Sequence, residues 1–217
     1  RIQKFSSQGI LLDTWQGEQK GFTKPEYLAV GQGALYLYHA QKILKFDLEG
    51  NFIANLIDMP SGELMRGMTV DEGGNIFLSL LLANQDAGYF HQVSKYSKTG
   101  QLLFSSKWES TASGRRGLAV GSDGAAYVAY DHQIRKIDPE GNVIEEWAVA
   151  PRPNGTIGYA APPDIAIDQN GLIYTINNSK VIRVFDDSGN LQYEFSQRGG
   201  APGSINGPQG LTISKTG

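Results

Sequence analysis

Gly117-Leu118-Ala119-Val120-Gly121-Ser122-Asp123-Gly124-Ala125-Ala126-Tyr127 reads as two short strands joined at a glycine turn. The same phrase recurs along the chain. Copies of its first strand are Tyr27-Leu28-Ala29-Val30, Gly67-Met68-Thr69-Val70, Gly117-Leu118-Ala119-Val120, Asp164-Ile165-Ala166-Ile167 and Gly210-Leu211-Thr212-Ile213. They end at intervals of 40, 50, 47 and 46 residues. Turn glycines follow at Gly33, Gly74, Gly124, Gly171 and Gly217, and the first four precede Tyr36, Phe77, Tyr127 and Tyr174 by three residues.

The rest of the unit repeats as well. A third strand leads to Phe5, Phe46, Tyr96, Ile137 and Phe185, each four residues before Gly9, Gly50, Gly100, Gly141 and Gly189. A fourth strand closes with Trp15, Leu56, Trp147 and Phe195 six residues after its glycine; the second unit breaks this spacing, with Trp108 eight residues on. Glycine supplies positive φ at such turns, and Asp or Ser at the turn start bonds its own backbone. A four-stranded sheet with two apolar faces needs neighbours on both sides, and a period near 45 residues is that of a propeller blade.

The expected fold is therefore an all-β propeller of four-stranded antiparallel blades in a single domain spanning 1–217. Complete blades are expected at about 22–58, 66–108, 116–149 and 162–197, with partial blades at 1–17 and 204–217. The register starts at a third strand and stops after a first one, so an incomplete ring is expected, with exposed edges open to self-association. The chain begins at Arg1 rather than Met, so an upstream segment is expected.

Composition agrees with a β-rich globular chain. Glycine is 27 of 217 residues, placed at the turns rather than in a low-complexity tract. Cysteine is absent, which excludes disulfides and thiolate chemistry, and the net charge of -3 excludes a wholly basic nucleic-acid surface. No apolar run has the length of about 20 residues that a membrane helix needs.

The repeat resembles the NHL repeat. Pro208-Gln209-Gly210-Leu211-Thr212-Ile213, Asn170-Gly171-Leu172-Ile173-Tyr174, Arg1-Ile2-Gln3-Lys4-Phe5 and His132-Gln133-Ile134-Arg135-Lys136-Ile137 carry the resemblance, with Phe195–Gly200 and Asn206-Gly207-Pro208 similar to the link between NHL blades. It implies a six-bladed ring. It also implies a recognition or scaffold role, extracytoplasmic in many bacterial members; some animal members bind RNA or proteins, and related propellers are metal-dependent lactonases and lyases. The chain departs from the pattern where a second-strand Asp is usual: His39, Leu80, Tyr130 and Asn177 stand there. The motif histidine is kept only at His91 and His132, against Gln41 and Lys180.

Connections between blades are long on one face, at Gln16–Pro25, Ile57–Leu64, Glu109–Gly114, Ala148–Ala161 and Ser196–Gly207. Loops on a rigid scaffold are where binding residues concentrate. Arg66 and Arg116 share one repeat position just before the inner strand, with Glu26, Pro163 and Gln209 as counterparts, so these five are expected to ring the channel mouth. Arg115 and Arg152 lie nearby in sequence. Paired guanidiniums suit a carboxylate or phosphate; the alternative is solvated arginines bridging Glu26 or Glu63. The long-loop face carries seven cationic against six anionic side chains, too even for a broad nucleic-acid footprint.

The second blade also carries extra residues, LLLANQDAGYF at 80–90. Leu81, Leu82, Tyr89 and Phe90 are candidates for an exposed apolar rim that holds a partner; the alternative is an extended hairpin packed on its neighbour. The histidines are expected to pack or hydrogen-bond rather than bind zinc, and Asp168 and Asn177 fall at opposite ends of a strand pair, so no metal or other cofactor is expected. Lys4, Lys45, Lys95 and Lys136 form a third-strand stripe, read as scaffold. The leading functional expectation is a noncatalytic recognition module for a protein, peptide or small anion. A lactonase- or lyase-like enzyme is the alternative, and RNA binding the least supported.

Overall fold

The computed structural model describes residues 1–84, 88–110, 117–130, 133–149, 164–176, 181–195, 205 and 210–213. Four sheets of four antiparallel strands follow one another in chain order. The first blade is β3 (Tyr27–Gly31), β4 (Ala34–His39), β5 (Lys42–Asp47) and β6 (Phe52–Asp58). The second is β7 (Glu63–Val70), β8 (Ile76–Asn84), β9 (Gly88–Tyr96) and β10 (Leu102–Ser110). The third is β11 (Leu118–Val120), β12 (Ala126–Tyr130), β13 (Gln133–Ile137) and β14 (Val143–Ala148). The fourth is β15 (Asp164–Ile167), β16 (Ile173–Ile176), β17 (Ile182–Phe185) and β18 (Leu191–Phe195). Ahead of them, β1 (Ile2–Phe5) and β2 (Leu11–Trp15) form a two-stranded sheet. A single helical turn, α1 (Gly17–Lys20), stands in the connection the sequence reads as a loop.

Alternation along each second strand explains why the sheets stack. On β4, Leu35 and Leu37 face Trp15, Phe22 and Phe46, while Tyr36 and Tyr38 face Ile76, Leu78 and Leu80 of the next blade. On β12, Ala126 and Val128 pack toward Phe77 and Val93, whereas Tyr127 and Ala129 pack toward Ile165, Ile173 and Phe185. Each interface buries apolar side chains from both sheets. Removing one, as in Leu78→Ala, costs about 2–5 kcal/mol.

Three of the hairpins between third and fourth strands use an Asp-x-x-Gly-Asn device, and Ser6 and Ser97 take the place of the Asp in two others. Asp47 Oδ1 accepts from the backbone N–H groups of Glu49 (3.0 Å) and Asn51 (2.7 Å), and its Oδ2 accepts from Asn51 Nδ2 (2.8 Å). Asp138 with Asn142 and Asp186 with Asn190 repeat this arrangement. Asp71 with Asn75 uses part of it in a first hairpin.

Three lysines of the third-strand stripe share one structural role. Lys45, Lys95 and Lys136 place Nζ over the rings of Tyr36, Phe77 and Tyr127 at 5.4, 5.2 and 5.4 Å. Lys4 instead donates to the Leu48 carbonyl at 2.9 Å.

The fourth-strand spacing is corrected by the structure. The side chain that reaches the third blade's hairpin glycine, Gly141, is Phe104 rather than Trp108. Ser106 holds the repeat position of Trp147, and Phe104, two residues earlier on the same strand, takes the place over Gly141. Trp108 lies under the Arg135 guanidinium (4.3 Å), which also covers Tyr130 (4.8 Å) and pairs with Glu146 at 2.6 Å. His91 completes this cluster, buried beside both Trp108 and Tyr130. Among the described residues no helix is long and apolar enough to cross a membrane.

Candidate functional site

The innermost strands β3, β7, β11 and β15 stand side by side and enclose, with Leu211-Thr212-Ile213, a channel of about 380 Å³. Its lining starts at Leu28, Met68, Leu118, Asp164 and Leu211 on the five segments. Arg66 and Glu26 each lie two residues before the lining begins, on the side of the long connections. Arg116, Arg115, Arg152 and Gln209 lie outside the described residues, as does His132.

Arg66 occupies a β-bulge. Met65 pairs with Leu80 and Gly67 with Ser79, so two residues of β8 face three of β7 and Arg66 has no opposite number. A bulge turns the extra side chain away from the regular pleat and appears beside binding sites for that reason. The Arg66 Nε is enclosed and has no hydrogen-bond partner among the described residues. No ion pair there joins Arg66 to Glu26 or Glu63; the pairs present are Lys42–Asp58, Arg135–Glu146, Lys136–Asp187 and Arg183–Glu194.

Acidic and aromatic side chains gather where the first two blades meet. Burial pushes the Glu63 carboxyl above the usual carboxylate range, against an opposing pull from Lys107. Burial also raises the Tyr38 phenol, with help from Glu26, Tyr27 and Glu63. Tyr27 donates its hydroxyl to the Met65 carbonyl at 3.0 Å, tying the first blade to the bulge.

Asp164 enters the channel lining from the fourth blade, a residue that the sequence places at the start of an inner strand without assigning it a role. Its Oδ2 accepts from Leu211 N–H at 2.7 Å and its Oδ1 from Ile165 N–H at 3.0 Å. Burial raises its pKa and these two bonds oppose the rise. The carboxylate thus anchors the fifth inner segment, in a place where the second and third blades carry Gly67 and Gly117 and the first carries Tyr27. At Gly117 a side chain would collide with the backbone of Asp164 and Ile165.

The extra residues of the second blade lengthen β8 and β9 and carry the sheet outward. Leu81 is fully buried, 0% exposed, and so is no part of an exposed rim: the longer sheet keeps its alternation, and that side chain faces the core. Leu82 is half-buried against the interface of the first two blades. Tyr89 and Phe90 are also half-buried, and Lys107 Nζ lies 4.2 Å over the Phe90 ring.

Asp168 is held by its own turn, accepting from the N–H groups of Asn170 and Leu172 at 2.9 Å each. Asn177 lies outside the described residues. Among the described residues, no three acidic or histidine side chains gather as a set of metal ligands.

Comparison with solved structures places the fold among β-propellers. A chain of the Mitotic Checkpoint Complex matches with a TM-score of 0.58 at 12% identity, over 79% of this chain and 49% of that one. The WD40 domain of Neurospora crassa Pan2 matches with a TM-score of 0.56 at 14% identity, over 79% and 49%. A gluconolactonase from Xanthomonas campestris matches with a TM-score of 0.52 at 17% identity, over 77% and 60%. The chain thus spans about half to three-fifths of these relatives' length, and at such identities the likeness shows the fold alone. No family model matches the chain, the NHL repeat included, and no curated protein matches it.

Proposed function

We propose that the chain is a noncatalytic recognition module that takes a protein, peptide or small anionic ligand at the long-connection end of its channel. Arg66 carries the reading. Its guanidinium stands on a bulge just outside the channel, with Nε enclosed and no hydrogen-bond partner among the described residues. A carboxylate or phosphate arriving there meets the outer nitrogens of the guanidinium, the part of the side chain open to a charge-assisted bond, while the Nε stays enclosed. By repeat position, Arg116, Glu26, Pro163 and Gln209 are assigned with Arg66 to the same ring, and Arg115 and Arg152 lie near them in sequence. Protein partners fit the half-buried Tyr89 and Phe90 beside that mouth, and the Mitotic Checkpoint Complex relative belongs to a protein assembly.

The test is a calorimetric titration of wild type and Arg66→Gln with an acetylated tetra-aspartate peptide and, separately, with inorganic phosphate. The substitution is expected to weaken binding about tenfold or more while near-ultraviolet circular dichroism stays unchanged. Equal affinities, or no binding by the wild type, contradict the assignment.

A further inference from the structure

The third and fourth strands of each complete blade meet in the same β-bulge. Phe46 pairs with Phe52 and Lys45 with Ala54, which leaves Ile53 without an opposite number. Tyr96 pairs with Leu102 and Lys95 with Phe104, which leaves out Leu103. Ile137 pairs with Val143 and Lys136 with Glu145, which leaves out Ile144. A bulge turns its extra residue off the regular pleat. In three successive blades that residue is a large aliphatic side chain. The turn does not require one: the fourth blade has Gln192 there, and its amide donates to Asp186 Oδ2 at 2.9 Å.

The three aliphatic side chains stand in the open. Ile53, Leu103 and Ile144 are 49–54% exposed, and Phe52, Leu102 and Val143 just before them are 47–57% exposed. Neighbouring sheets do not cover them, although each of these blades has a described sheet packed on both sides. They lie on β6, β10 and β14, the last strands of their sheets, whereas the first strands line the channel. This apolar edge is therefore separate from the channel mouth.

The hairpins that lead into the edge are acidic. Residues 47–51, 97–101, 138–142 and 186–190 carry Asp47, Glu49, Asp138, Glu140, Asp186 and Asp187 against Lys98 alone. The aspartates Asp47, Asp138 and Asp186 are engaged in their own turns. Glu49 and Glu140 are exposed, and their carboxylates join none of the ion pairs among the described residues. Such a rim attracts cations and repels anionic lipid head groups and nucleic acid. The bulges also kink the edge that an added strand would have to extend, so the face suits side-chain packing.

We infer that this outer edge docks a basic amphipathic segment of a partner protein. Its apolar side chains seat on Ile53, Leu103 and Ile144, and its lysines or arginines reach Glu49 and Glu140.

The experiment is fluorescence anisotropy with a labelled amphipathic peptide of leucine and lysine, and with its counterpart of leucine and glutamate. The wild type is expected to bind the lysine peptide at least about tenfold more tightly than the glutamate peptide. The triple variant Ile53→Ser, Leu103→Ser, Ile144→Ser should weaken that binding about tenfold or more. Glu49→Gln with Glu140→Gln, which leaves the apolar side chains in place, should weaken it less and flatten its dependence on salt. Thermal midpoints monitor the folds, and the glutamine variant carries the test if the serine variant does not fold. Equal affinity for the two peptides, no binding by the wild type, or binding that a folded serine variant and the glutamine variant both retain in full overturns the inference. Flotation of the wild type with phosphatidylglycerol vesicles, lost in the serine variant, would also overturn it and make the edge a membrane contact.

Discussion

The Trp147 indole lies over the backbone of Gly189, so close that a methyl group on that glycine would sit 2.6 Å from the ring. One sheet of the propeller thereby fixes its distance to the next, and the glycine serves two ends at once: positive φ for the turn and space for the ring.

Alanine substitution separates those two roles. Gly9→Ala carries only the backbone strain of positive φ, about 1–2 kcal/mol. Gly189→Ala carries that strain and an overpacked indole, roughly 2–5 kcal/mol together. Urea unfolding of both variants should rank Gly189→Ala clearly below Gly9→Ala. Equal losses would mean that Trp147 yields freely and the inter-sheet contact is slack.

Acid should loosen the hairpins. Hydrogen bonds from Asn51, Asn142 and Asn190, side chain first and then backbone, hold Asp47, Asp138 and Asp186 below the usual carboxylate range. A carboxylate depressed in the folded state stabilises above its unfolded pKa near about 3.9, and the gain disappears as pH falls through the folded value. Burial shifts Asp164 and Glu63 the other way, so the folded state holds their protons more tightly and acid favours it at those two groups. The urea midpoint of the wild type should therefore fall steeply below about pH 4, and a variant with all three hairpin aspartates changed to asparagine should show a flatter fall. Identical pH profiles would remove the hairpins from the acid response.

Tyr174 lacks the lysine that covers its counterparts, because Val184 stands across from it. Its hydroxyl donates to Asp168 Oδ2 and meets the Tyr193 hydroxyl, at 3.3 Å each, and the Tyr193 bond first, then burial and the nearby charges, pushes its pKa up to about 12. Tyr193→Phe should bring the Tyr174 titration down toward 10.0, the ordinary phenol value, as followed by carbon NMR of the labelled ring. A titration that does not move would assign the rise to Asp168 and burial.

Much of this architecture is legible in the sequence because the repeat is enforced by packing. Tyr36, Phe77 and Tyr127 recur because each fills the same interface, and the glycines recur because each hairpin needs positive φ. Where the chain departs from its own spacing, sequence reading loses the register. Trp108 looks like the closing aromatic of its blade, but Ser106 stands at the repeat position, Phe104 takes the seat over Gly141, and the indole packs under Arg135. Leu81 looks like part of an apolar rim, yet lengthening all four strands of the second blade buries it. At the site, the repeat position of Arg66 is readable from its counterpart Glu26, while the bulge is not, because it exists only in the pairing of Met65 and Gly67 with Leu80 and Ser79. Asp164 hides for a related reason: its role depends on the Leu211 N–H, which lies 47 residues away.

The central claim is that the Arg66 guanidinium takes an incoming anion at the channel mouth. Its most direct test is the nitrogen NMR signal of the Arg66 Nε–H, assigned by its loss in Arg66→Gln and followed while the tetra-aspartate peptide is added. The account predicts a downfield shift of the Nε–H proton that saturates along the same curve as the calorimetric binding. A signal that stays fixed while the peptide binds would contradict it and place recognition elsewhere on the propeller.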